Sequence, residues 1–280
     1  MLYILLIAAC LLLYRGYRML DRISDDTTAP EIRVPDQMLQ LSVYDPEELL
    51  LQGVTAVDDA DGDVTASLVI EKMWLADTDG TVNVRYAAFD RAGNVAKAEH
   101  KVLFTDYVSP RFVLERPLMY RVNYDYDVLA DIQAVDMLDG DITHRIRATS
   151  LDDESMLVPG VHEVEFRVTN SLGEMVKLVL PVEVLSMDLY QADLLLTDYL
   201  IYLDAGARFD AEDYLERFVC SGVTTSLLNG LPAEFTMETV GEVNTQVPGV
   251  YSVTYTVQYG TPDSQRVFTG CSKLIVVVEG

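Results

Sequence analysis

The chain has 280 residues, half of them hydrophobic, which is enough to build packed cores and argues against disorder. It carries 45 acidic against 20 basic side chains, a formal charge of −25. That balance excludes nucleic acid as a partner, since phosphate binding needs clustered Lys and Arg, and it suits a solvated surface, a divalent cation or a basic partner.

The first element is the apolar run Met1 to Tyr14, followed by Arg15, Arg18 and Arg22. As a helix, fourteen residues span about 21 Å, short of a bilayer core of about 30 Å. Extension to residue 20 is possible if Arg15 and Arg18 snorkel to the interface. Residues 1–20 are therefore expected to be a membrane anchor or signal helix. Three readings are open. The first is an uncleaved anchor. The second is a cleaved signal peptide without the usual basic start. The third is a lipoprotein signal with Cys10 as the lipidated residue, disfavoured by the apolar Leu11 to Leu13 that would then begin the mature chain. Residues 21–29, rich in Asp and Thr, read as a linker.

Internal repetition organises the remainder. Ala56-Val57-Asp58-Asp59-Ala60-Asp61-Gly62-Asp63-Val64-Thr65 recurs as Ala134-Val135-Asp136-Met137-Leu138-Asp139-Gly140-Asp141-Ile142-Thr143. Asp26 to Pro30 recurs at nearly the same offset as Asp106 to Pro110. Val82, Val84, Tyr86 and Ala88 alternate after Gly80, as Val164, Phe166 and Val168 do after Gly160; a period of two marks strands with one buried face. These runs reach the turns Asp90-Arg91-Ala92-Gly93-Asn94 and Asn170-Ser171-Leu172-Gly173-Glu174. Pro248 to Val257 repeats the strand entry a third time, without the D-G-D segment. The expected fold is all-β: three tandem sandwiches over residues 30–107, 108–187 and 188–280, the last diverged.

These motifs resemble bacterial immunoglobulin-like domains of the kind strung in tandem on surface proteins and appended to some pesticidal crystal proteins. In that family a D-x-T-x-P opening precedes D-x-x-D-G-D-[LVI]-T, a P-G-x-Y-x-V-x-Y strand and a D-x-x-G-N hairpin. Residues 26–107 match most parts, 106–185 match the D-G-D segment and the hairpin loosely, and 188–280 match only through Pro248 to Val257. The resemblance implies immunoglobulin-like sandwiches, a cell-surface location with the domains outside, and a spacing or scaffolding role. The alternative is adhesion to, or binding of, a surface protein or polysaccharide, and a hydrolase accessory protein is the outsider. It implies no activity, since a superfold does not determine function. By contrast, the arginines that follow the apolar run would, by the positive-inside rule, leave the domains in the cytoplasm.

Candidate sites are few. Asp58, Asp61, Asp63 and Asp136, Asp139, Asp141 (with Asp59 beside the first set) offer oxygens to calcium, a hard ion with six to eight ligands. They do not form an EF-hand loop, because Val57 and Leu68 would occupy its first and twelfth positions. The competing reading is a turn, with Gly tolerating positive φ and Asp bonding nearby backbone N–H groups. Cys220 and Cys271 can pair outside the cell, or stay as buried thiols. His100, His144 and His162 have no zinc spacing, and His162, at a strand start, reads as surface. No serine elbow or phosphate loop is present, and no catalytic residue is expected. Trp74, the sole Trp, reads as core or as an exposed contact.

Overall fold

The computed structural model describes residues 10–16, 26–122, 127–151, 158–186, 191–260 and 267–280. Most of the expected anchor over 1–20 lies outside the described residues. Residues 10–16 are helical and exposed. Among the described residues, no helix is long and apolar enough to cross a membrane.

The all-β expectation holds, and one seven-strand pattern occurs three times. In the first repeat the strands are β1 (Glu31–Arg33), β2 (Leu39–Leu41), β3 (Thr55–Asp58), β4 (Gly62–Asp63), β5 (Val69–Leu75), β6 (Thr81–Phe89) and β7 (Val95–Phe104). They make a sheet ordered β1-β3-β4 and a second ordered β2-β7-β6-β5. Only β2–β7 is parallel; the other pairings are antiparallel. The second repeat has β8 (Arg111–Leu114), β9 (Met119–Arg121), β10 (Ile132–Asp136), β11 (Gly140–Asp141), β12 (Arg147–Ser150), β13 (Gly160–Thr169) and β14 (Met175–Leu185). Its sheets, β11-β10-β8 and β12-β13-β14-β9, reproduce the first repeat strand for strand.

The third repeat keeps this order although its sequence has diverged. Its strands are β15 (Ala192–Leu196), β16 (Leu200–Asp204), β17 (Leu215–Cys220), β18 (Val223–Ser226), β19 (Phe235–Val240), β20 (Gly249–Tyr259) and β21 (Phe268–Glu279). Again the second strand runs parallel to the seventh. One difference is that β15 also pairs with β21, at Ala192–Gly270 and Asp193–Cys271, so the two sheets join along that edge.

The alternation read from sequence is the packing pattern. On β6, Val82, Val84, Tyr86 and Ala88 are buried, and on β13 so are Val164, Phe166 and Val168. A large apolar side chain so buried contributes about 1.5–3 kcal/mol. His162 is in phase with that β13 face and is buried too, its Nε2 2.9 Å from the Val158 carbonyl oxygen. The surface reading is therefore corrected: strand parity outweighs the polarity of the ring, which the carbonyl satisfies.

By compactness the chain divides into two units: 1–109 with 171–174, and 110–170 with 175–280. The second and third repeats thus share one unit and one continuous core, in which Phe112, Phe166 and Leu180 belong with Phe218, Tyr255 and Leu274. Their junction is also polar. Arg111 pairs with Glu279 at 2.6 Å and lies 4.8 Å from the Tyr202 ring centre. The Tyr202 hydroxyl accepts from Phe112 N–H at 2.9 Å, and Lys273 pairs with Glu183.

In the first unit the Tyr86 hydroxyl donates to the Leu50 carbonyl at 2.7 Å in a fully buried site. Burial pushes that hydroxyl up to about 12 from its ordinary value of 10.0. The unfolded chain then loses its tyrosyl proton first, so stability is intact below pH 10 and is lost as pH rises towards 12. Denaturation at stepped pH, followed by Trp74 fluorescence, should show the midpoint falling over that window. The fall should be shallower in Tyr86→Phe; parallel curves would clear Tyr86 of the effect. Trp74 suits this use: it is the sole Trp and lies in the first unit. Its ring is half-buried under Lys72, at 5.6 Å, and Arg85, at 5.1 Å, an arrangement worth about 0.5–1 kcal/mol.

Candidate metal centre

The D-G-D segment is first of all a hairpin. Asp58 ends β3 and pairs with Gly62, which opens β4 with φ +78°, across the loop Asp59-Ala60-Asp61. Glycine takes that left-handed conformation without a steric penalty. Asp58 Oδ1 accepts from the N–H groups of Ala60, at 2.9 Å, and Asp61, at 2.8 Å. Asp63 Oδ1 accepts from Thr65 N–H at 2.9 Å. Thr65 Oγ1 in turn accepts from Ala56 N–H at 3.0 Å, which closes the motif onto β3. The second repeat copies each bond, with Asp136, Asp141, Thr143 and Ala134 in the same roles. Hydrogen bonds from Thr65 and Thr143 hold the Asp63 and Asp141 carboxyls below the usual carboxylate range.

These bonds spread the acidic side chains. Asp63 and Asp141 are exposed and turned to their threonines. Asp61 Oδ2 accepts from Arg91 N–H at 2.7 Å, and Asp61 pairs with the Arg91 guanidinium at 3.7 Å. Asp139 pairs with Arg145 at 2.5 Å. Of the six expected calcium ligands, only Asp58 joins a group of metal-ligating side chains among the described residues. The remaining carboxylates are engaged otherwise: Asp63 and Asp141 accept from N–H groups of their own turns, Asp139 pairs with Arg145, and Asp61 is held by Arg91 beyond the turn.

The group that does form draws one carboxylate from each of three segments. Asp26 lies ahead of β1, Asp58 ends β3 and Asp90 follows β6; one oxygen from each lies within 4.8 Å of the others. Asp58 is 3% exposed, and its Oδ2 has no hydrogen-bond partner. Asn94 braces the other two residues. Its Nδ2 donates to Asp90 Oδ2 at 2.7 Å and to the Asp26 backbone oxygen at 3.1 Å, and its N–H donates to Asp90 Oδ1 at 2.8 Å. Desolvation pushes the Asp90 carboxyl up, but the bonds from Asn94 and the neighbouring N–H groups outweigh it and leave it below the usual range.

At the matching place the second repeat has an amide. Asn170 follows β13 as Asp90 follows β6, and it donates Nδ2 to Asp136 Oδ2 at 3.0 Å in a buried site. Asp106, the counterpart of Asp26 in the repeated opening, bonds Ser42 Oγ at 2.6 Å and Val43 N–H at 2.9 Å. Asp26 and Asp90 are not singled out as candidates by the sequence reading, although both stand in repeated motifs; the signal is the Asp90-to-Asn170 exchange.

The third repeat replaces the motif by a two-residue turn, Ser221 (φ 48°) and Gly222 (φ 81°), between Cys220 and Val223. Cys220 and Cys271 are not disulfide-bonded. Strand β15 lies between β17 and β21, with Asp193 beside both Val219 and Cys271. Two strand spacings come to about 9.6 Å, beyond the roughly 7 Å that a disulfide bridges between Cα atoms. Near Cys271 the second unit has a cavity of about 500 Å³, whose lining mixes Arg116 and Arg121 with Glu115 and Asp193.

No protein-family model matches the chain, and no curated protein matches it. Among solved structures, the chain is similar to Drosophila N-cadherin EC1-3 (13% identity, 91% of this chain and 90% of that one, TM-score 0.28). It is also similar to mouse cadherin-23 EC22-24 (12% identity, 90% and 99%, TM-score 0.22). The extracellular domain of protocadherin GammaB4 is a further neighbour (11% identity, 89% of this chain, TM-score 0.20), and the chain spans about half of its length, 49%. Scores this low carry no argument, and the β-sandwich assignment rests on the strand pairing above. None of these matches is to the bacterial immunoglobulin-like family that the motifs resemble.

Proposed function

We propose that the chain is a non-catalytic surface spacer or scaffold of three tandem immunoglobulin-like sandwiches, held to a membrane by residues 1–20 with the sandwiches outside. The observation that carries this reading is the junction of the second and third repeats. There, Arg111–Glu279, Tyr202–Phe112 and Lys273–Glu183 unite two sandwiches in one compact unit, as a stiff spacer requires. The apolar run Met1 to Tyr14 supports the anchor, and the charge of −25 supports a solvated surface. Large exposed hydrophobic side chains among the described β-repeats are mostly scattered valines, with Tyr44 and Phe89 the exposed aromatics, which suits a spacer better than an aromatic binding face.

External protease applied to intact cells, followed by immunodetection of residues 188–280, tests the placement. Loss of the signal is expected, and protection until lysis would overturn it. A screen of the full chain against surface proteins and polysaccharides tests the role. Saturable binding to one of them would replace the spacer reading by adhesion.

A further inference from the structure

We propose that Asp26, Asp58 and Asp90 hold one hard divalent cation of the calcium class in the first repeat, and that the second repeat takes none because Asn170 stands where the first has Asp90. Two independent observations point to a ligand. Three carboxylates from separate segments converge within 4.8 Å. Within that group Asp58 Oδ2 is buried and has no hydrogen-bond partner.

An unpaired carboxylate oxygen at 3% exposure is costly unless a proton, a donor or a cation meets it. The second repeat shows which direction that oxygen faces and how protein alone can answer it. Asp136, made by the same turn, has its Oδ2 met by the Asn170 amide at 3.0 Å. Asp90 puts a carboxylate in the corresponding place, and two carboxylates repel where an amide and a carboxylate attract. Asn94 does not relieve this, because its amide is already spent on Asp90 Oδ2 and the Asp26 carbonyl. It holds the Asp90 carboxylate and the Asp26 backbone together, as a brace for ligands from two segments does.

Size and hydration favour the larger ion. At about 2.3–2.6 Å per bond, three oxygens spread evenly on one calcium stand up to about 4.5 Å apart, close to the 4.8 Å within which these three lie. Magnesium, at about 2.0–2.1 Å, draws three such oxygens to within about 3.6 Å and gives up its waters reluctantly, so a group of three carboxylates suits it less well. Three carboxylates suit a dication, whose remaining positions water fills.

Calcium binding to the full chain, in detergent and about 0.15 M salt to screen the diffuse acidic surface, tests this. Equilibrium dialysis with calcium and with magnesium reads the stoichiometry, and Trp74 fluorescence reads melting of the first unit. Wild type should bind one calcium per chain in preference to magnesium, and at a hundredfold excess over Kd the first unit should melt roughly 10 °C higher. Asp90→Asn should lose the bound calcium and the shift. With chelator it should melt no lower than wild type, since its amide can meet Asp58 Oδ2 as Asn170 meets Asp136. Asp136→Asn should bind calcium as wild type does. No calcium on wild type, or unchanged binding by Asp90→Asn, would overturn the proposal. Equal losses in Asp58→Asn and Asp136→Asn would also overturn it and assign the ion to the turns instead.

Discussion

Glu183→Met is expected to destabilise the second unit by about 3–5 kcal/mol, while Glu183→Met with Lys273→Met together should return to within about 1 kcal/mol of wild type or exceed it. Lys273 lies on β21 at 4% exposure, and Glu183, on β14, is its ion-pair partner. Removing the carboxylate leaves an ammonium shut off from water with no opposite charge beside it. Methionine at both positions keeps the stems and their packing while removing both desolvation costs. Urea denaturation of the full chain would measure this, with hydrogen exchange on β14 and β21 peptides reporting the second unit. Trp74 fluorescence, which belongs to the first unit, should not move. If the two single losses simply add in the double variant, the pair is not coupled and the junction rests on apolar packing alone.

Gly241→Ala should cost more than about 3 kcal/mol, against about 1 kcal/mol for Gly230→Ala in the same unit. Both glycines have positive φ, +112° and +98°. At Gly230 an added Cβ meets nothing within 4 Å, so only backbone strain is paid. At Gly241 it would overlap the Ser252 carbonyl oxygen on β20. That carbonyl cannot retreat freely, because β20 is registered with β21 from Gly249–Val278 to Tyr259–Phe268, and moving it breaks ladder hydrogen bonds. Urea midpoints of the two variants decide the matter, and equal costs would mean that the loop after β19 relaxes to accept the methyl.

The repeats and the β-class were legible in the sequence because each rests on local rules. Alternation of buried side chains along β6 and β13, and Gly62 and Gly140 after a carboxylate, are properties of single strands and single turns. The turns of the D-G-D segments are local for the same reason: Asp58 and Asp63 bond donors two residues on, and Thr65 bonds Ala56 on the strand beside it. The burial of His162 is equally local, since strand parity, and not its place at a strand start, decides it. What the sequence could not decide is which distant segments meet. The cysteines look pairable along the chain, but sheet order puts β15 between them. The acidic run around Asp61 looks like a metal site, yet the converging carboxylates come from residues 26, 58 and 90. Likewise the junction of the second and third repeats brings Lys273 to Glu183, far away along the chain. A turn is determined by its own residues, whereas a site assembled from three segments depends on strand order, which only the folded chain decides.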